Sequence, residues 1–135
     1  MIGIVLISHA DICTALLHGA EMICGEQEKQ IETVCLLSDS RLEEFDLQLQ
    51  RAISKVDTGD GVVILADITG GTPFNRAARF VGENIQLIGG ANLALLLELL
   101  SSREDKQIDI GEAVQVGLVN LRQFFPVTQS DEDIM

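Results

Sequence analysis

The sequence predicts a doubly wound α/β domain: a mainly parallel four-stranded sheet in the order 2-1-3-4 with helices on both faces. Three observations carry that expectation. Short apolar runs alternate with segments of helical spacing four times along the chain, a pattern that calls for parallel strands joined by right-handed crossovers. The run Val62–Ala66 is apolar throughout, rich in Val and Ile and bounded by glycines, as in a strand covered on both faces. The 135 residues contain no low-complexity stretch and fit one domain over 1–135. That length buries roughly two-thirds of the unfolded surface.

Residues 2–7 form an apolar run of strand length that ends at Ser8-His9. Over 10–24, Ile12, Ala15, Leu16, Ala20 and Ile23 fall three and four apart, placing one apolar stripe on a helix that Gly25 stops. The second strand spans 31–37. Ser38-Asp39-Ser40 supplies a turn and cap, after which Leu42, Phe45, Leu49, Ala52, Ile53 and Val56 repeat at helical spacing. The third strand reaches Asp67 and turns through Gly70-Gly71. There Thr72 is expected as N-cap and Pro73 at the first helical position, where its missing N–H costs nothing. Phe74, Ala77, Ala78 and Val81 carry this helix toward Gly82. Residues 85–88 make a short strand closed by Gly89-Gly90, and Asn92 caps a helix over 93–101. The polar stretch 102–107 reads as a surface loop. Ala113, Val116, Val119 and Phe124 mark a last helix that Pro126 ends, and the tail 130–135 is expected to fray.

Composition narrows the functions available. Nine Lys+Arg against 21 Asp+Glu give a formal charge of −12, which leaves no basic footprint for nucleic acid or an anionic membrane and suits a basic protein partner. The first apolar run has no basic region before it and is too short for a signal peptide or a span, so the expected location is cytoplasmic. Cys13, Cys24 and Cys35 are odd in number and lack Cys-x-x-Cys spacing; they predict buried or half-buried free thiols and no zinc site. No carboxylate cluster suited to a metal and no Gly-x-x-x-x-Gly-Lys-Ser/Thr motif is present, which argues against nucleotide-driven kinase chemistry; neither metal nor cofactor is expected.

In a 2-1-3-4 sheet, ligands bind beyond the carboxyl ends of the first and third strands, where the order reverses. Those strands end at His9 and Asp67, so the two side chains are expected to meet. An imidazole is a competent nucleophile near neutral pH, and a carboxylate accepting from one ring nitrogen leaves the other as an outward lone pair. Gly70, Gly71 and Thr72 allow close backbone approach and present amides and a hydroxyl to an anion, which points to a phosphoryl group. Other polar residues have more ordinary readings. His18 should face away from the crevice. Arg76 and Arg79 either flank a phosphate, dock a partner or face solvent, and Asn75 braces the loop or a dimer. Glu43, Glu44 and Asp46 read as a solvated face, and Phe124-Phe125 as core or subunit packing.

The blocks Ile4-Val5-Leu6-Ile7-Ser8-His9, Ala20-Glu21-Met22-Ile23-Cys24-Gly25, Asp67-Ile68-Thr69-Gly70-Gly71-Thr72-Pro73-Phe74-Asn75 and Gly89-Gly90-Ala91-Asn92-Leu93 resemble the IIA domain of the mannose family of the sugar phosphotransferase system (PTS). The resemblance runs in register from Met1 to about Pro126. It implies that His9 accepts a phosphoryl group from phospho-HPr and passes it to the IIB component, which serves sugar uptake through the IIC and IID membrane components. Asp67 would orient His9, and Gly71 with Thr72 would donate to phosphoryl oxygens. The resemblance also implies a homodimer that exchanges a short C-terminal antiparallel strand, for which residues 127–129 are in place. Two departures stand out. The family often has glycine after the histidine where this chain has Ala10, and its linked IIB domain is missing here, which suits a free-standing IIA protein or a fragment.

Three other readings compete. A receiver-type signalling domain needs an acidic pair after the first strand, where this chain has Ser8-His9. The phosphoryl-donor subunit of dihydroxyacetone kinase shares the strand-then-histidine start but lacks the Gly-Gly-Thr-Pro-Phe-Asn block. A non-catalytic anion sensor of the same fold would use the crevice without transfer.

Overall fold

A computed structural model describes residues 1–105 and 108–126. The order is β1 (Gly3–His9), α1 (Ile12–Cys24), β2 (Ile31–Leu36), α2 (Leu42–Val56), β3 (Val62–Ala66), α3 (Thr72–Ala77), a 3-10 turn (Ala78–Phe80), β4 (Ile85–Ile88), α4 (Leu93–Ser102) and α5 (Ile110–Val119). All pairings in the sheet β2-β1-β3-β4 are parallel. Ile4 and Leu6 stand beside Val63 and Leu65, while Val5 and Ile7 stand beside Ile64 and Ala66.

Alternation along the strands builds two cores. Ile4, Leu6, Val63 and Leu65 pack with Cys13 and Ala20 of α1, Leu95, Leu96 and Leu99 of α4, and Ala113 of α5. On the other face, Val5, Ile7, Ile64 and Ala66 pack with Phe45, Leu49, Ala52, Ile53 and Val56 of α2 and Ala77 of α3. Each large apolar side chain fully buried in this way stabilises the fold by about 1.5 to 3 kcal/mol. The central strands are apolar on both faces because both faces are covered.

Several local expectations need correction. Gly71, not Thr72, is the N-cap of α3: its carbonyl accepts from the Asn75 N–H at 2.9 Å, so Thr72 is already helical. The helix expected over 74–81 tightens after Ala77 into the 3-10 turn. Ser38-Asp39-Ser40 serves the turn alone, since Ser40 Oγ accepts from the Leu37 N–H while Arg41 occupies the N-cap of α2 without a side-chain bond. The last helix stops at Val119 rather than near Phe124; Leu121 N–H bonds back to Leu118, and Arg122 Nε donates to the Val119 carbonyl at 2.7 Å. Phe124 and Phe125 are exposed, so neither is in the core. Cys24 is exposed as well. Within 102–107, Arg103 is 3% exposed and therefore no surface residue. Residues 127–129, expected as an exchanged strand, and the tail 130–135 lie outside the described residues. No helix among the described residues is long and apolar enough to cross a membrane.

Candidate functional site

The crevice lies where β1 and β3 end side by side. Asp67 N–H donates to the Ile7 carbonyl at 3.2 Å and extends that pairing by one residue. His9 N–H donates to Asp67 Oδ2 at 3.1 Å, and His9 Nδ1 lies 2.9 Å from the same oxygen. The two side chains, 58 positions apart, therefore meet as the strand order requires. With the proton on Nδ1, this contact holds the ring and directs Nε2 away from the carboxylate.

Asp67 is buried to a degree that its partner is not. Its side chain is 12% exposed against 46% for His9. Burial works to raise the Asp67 pKa, but the His9 ring, the His9 backbone N–H and the nearby Ile68 backbone outweigh it, holding the carboxyl below its ordinary value. Asp67 Oδ1 is buried and has no hydrogen-bond partner among the described residues.

The loop after β3 supplies the other wall. Gly71 lies so close to the imidazole that a Cβ there would come within 2.8 Å of His9 Cε1 and 3.4 Å of Nε2. Nε2 thus faces the Gly71-Thr72 turn, and the first-turn amides of α3 have no acceptor inside the helix. Gly70 has φ +81, a conformation glycine adopts without steric cost. Asn75 Nδ2 donates to the Gly70 carbonyl at 3.0 Å, so Asn75 does brace the loop. His9, Ala10, Leu37, Ser40, Leu42 and Thr72 line a common hollow.

Three residues shape the site beyond what the sequence disclosed of them. Ser8 is fully buried; its Oγ accepts from the Cys13 N–H at 2.8 Å and donates to the Ala10 carbonyl at 3.1 Å. It thereby caps α1, a task expected of a residue nearer the helix. Ala10 has φ +50, the left-handed turn for which the resemblance suggested glycine. Gly89 underlies the loop from β4, where a Cβ would fall 2.2 Å from Thr69 Oγ1 and 3.0 Å from Phe74 Cε2. The sequence showed the Gly89-Gly90 pair as a turn and as part of a block of resemblance, not as packing beneath this loop.

Arg76 and Arg79 turn from the crevice to Asp46 of α2. Arg76 Nε donates to Asp46 Oδ1 at 2.8 Å and its Nη2 to Oδ2, while Arg79 Nη1 lies 3.3 Å from Oδ2. The Arg76 guanidinium lowers the Asp46 pKa, so this acid is an anchor for α3 rather than part of a solvated face. His18 is exposed. No group of three or more His, Cys, Asp or Glu among the described residues is arranged to hold a metal ion.

A parallel 2-1-3-4 sheet with a histidine–aspartate pair at its switch point defines a class: α/β domains that present one half-open imidazole at the strand ends. Comparison with known proteins narrows it. A family model for the PTS system fructose IIA component (EIIA-man) matches residues 3–115, and the chain belongs to this family. It is 34% identical over 106 residues to the PTS system fructose-specific EIIA component of Bacillus subtilis (strain 168), a match covering 77% of this chain and 72% of that protein. It is 36% identical over 106 residues to the PTS system mannose-specific EIIAB component of Escherichia coli (strain K12), covering 77% of this chain and 32% of that protein. The matched part is thus about a third of the longer relative. Among solved structures, the PTS IIA protein associated with the fucose utilization operon from Streptococcus pneumoniae superposes with a TM-score of 0.83 at 30% identity, covering 90% of this chain and 91% of that one.

Proposed function

We propose that the protein is a phosphoryl carrier of the sugar phosphotransferase system in which His9 is the phosphorylated residue. The observation that carries this reading is the 2.9 Å contact between His9 Nδ1 and Asp67 Oδ2, with Nε2 turned toward Gly71. Nε2 attacks the phosphorus of phospho-HPr; the new N–P bond forms as the bond to the donor breaks, and a second in-line transfer hands the group to a IIB component. Asp67 holds the tautomer and the ring direction. Gly70, Gly71 and Thr72 form the cradle for the phosphoryl oxygens. No cofactor takes part.

Electrostatics makes the adduct transferable. A phosphoryl group on Nε2 lies about 6 Å from Asp67 Oδ2, and at an effective dielectric near 20 each pair of unit charges repels by about 3 kcal/mol. The cradle offsets part of this repulsion, and the remainder favours departure to the next acceptor. A protein donor also suits the rim, where Ile12, Leu37 and Ile68 are each about half exposed and Leu42 somewhat less. The net charge of −12 favours a basic partner. Passage of the group to sugar through IIB and the membrane components IIC and IID, assembly as a homodimer, and a cytoplasmic location complete the proposal, on the strength of the family.

Incubation with radiolabelled phospho-HPr tests it. We expect acid-labile, alkali-stable label on His9, no label in His9→Gln, and slowed transfer to and from HPr in Asp67→Asn. Absence of label on a folded protein that still binds inorganic phosphate would favour the anion sensor instead.

A further inference from the structure

Cys13 and Cys35 come from different elements, the first turn of α1 and the strand β2, yet their Sγ atoms lie 3.5 Å apart. Cys13 is 2% exposed, whereas Cys35 is half-buried, with Thr14 Oγ1 at 3.3 Å from its sulfur. We propose that these two thiols are a redox-active pair that hydrogen peroxide closes into a reversible disulfide. A disulfide bond is about 2 Å long, so closure needs about 1.5 Å of sulfur movement, within reach of side-chain rotation and a small shift of an edge strand.

The chemistry balances with peroxide as the only co-reactant. The Cys35 sulfur, as thiolate, attacks one peroxide oxygen; the O–O bond breaks, and the departing hydroxide takes the thiol proton as water, leaving a sulfenic acid. The Cys13 sulfur then attacks the Cys35 sulfur. The S–S bond forms, the S–O bond breaks, and hydroxide leaves with the Cys13 proton as a second water. Two thiols lose two electrons and two protons, and one peroxide becomes two waters. Burial raises the Cys13 pKa, which leaves the more open Cys35 as the first to react.

The pair is wired to the histidine turn. Cys13 N–H donates to Ser8 Oγ, Ser8 Oγ–H donates to the Ala10 carbonyl, and Ser8 stands in register with Cys35 across β1 and β2. Drawing Cys13 toward β2 pulls on this bridge and displaces the His9-Ala10 turn. Oxidation thereby reports directly on how the imidazole is presented.

The test uses the full chain carrying Cys24→Ser, which removes the exposed thiol, treated with hydrogen peroxide and then dithiothreitol. We expect a Cys13–Cys35 cross-linked peptide by mass spectrometry, loss of both thiols that are alkylatable after denaturation, and shifted amide resonances of His9 and Ala10, all reversed by the reductant. Adding Cys35→Ala, or Cys35→Ser should the alanine variant fold poorly, abolishes the cross-link and leaves those resonances unmoved by peroxide. Two thiols that stay alkylatable after oxidation, or a cross-link that leaves the His9 and Ala10 resonances in place, would overturn the proposal. These readouts need no phosphoryl donor and stand apart from the transfer reading.

Discussion

One methyl group added at Gly71 measures how tightly the imidazole is held. Its backbone, at φ −77 and ψ 173, accepts alanine without strain, so the consequence is contact of the new methyl with His9 Cε1 at 2.8 Å and with the Ile68 side chain at 3.0 Å. Gly71→Ala should slow phosphorylation by HPr roughly 10- to 100-fold, because a small misplacement of a reacting group is costly. Its melting temperature should stay close to the parent's, as calorimetry would show. Asp67 supplies a second prediction. Its folded pKa lies below the unfolded value, so the stabilisation it contributes is present above the unfolded pKa and is lost as pH falls through the folded one. Carboxyl carbon NMR should place its midpoint below 3.8, the ordinary aspartate value. At this scale His9 and Asp67 were legible, since a polar residue closing an apolar run marks a strand end and the sheet order brings those ends together. The role of Ser8 was not, because its capping bond depends on the left-handed Ala10 that brings the chain back over it.

At the level of elements, the connection between β1 and α1 carries the strain. An alanine in the left-handed region costs about 1 kcal/mol more than glycine, so Ala10→Gly should stabilise the protein by about that amount. For a chain of this size the gain corresponds to roughly 3 to 5 °C in thermal midpoint, readable by calorimetry. Strands and the helix α2 were legible from their periods: Phe45, Leu49, Ala52, Ile53 and Val56 are the buried face of α2, whereas in α1 the expected stripe residues Ile12 and Ile23 are exposed and Cys13 and Ala20 are buried. Helix ends were less so. The start of α3 is decided by the Gly71 carbonyl, and the end of α5 by Arg122 reaching the Val119 carbonyl, contacts that periodicity does not encode.

Across the whole molecule, the two cores leave the crevice free of packing duties, and a distant arginine closes the opposite end. Arg103 Nη1 donates to the Gln30 carbonyl at 2.9 Å, and its Nη2 to the Lys29 carbonyl at 2.7 Å and to Gln27 Oε1 at 3.3 Å. It holds Gln30, itself at φ +57, at the entrance to β2. Arg103→Ala strands these acceptors and should cost about 2 to 3 kcal/mol. Urea denaturation should reveal that loss while phosphorylation of His9 proceeds at its normal rate. The residue was hidden among polar neighbours because composition records polarity and not the partners that a distant loop supplies.

Asp67 Oδ2 receives both the main-chain N–H and the ring of His9. Swinging the imidazole outward breaks one of these bonds and spares the other. The ring can therefore pivot while the end of its strand stays moored, a swivel on a fixed post.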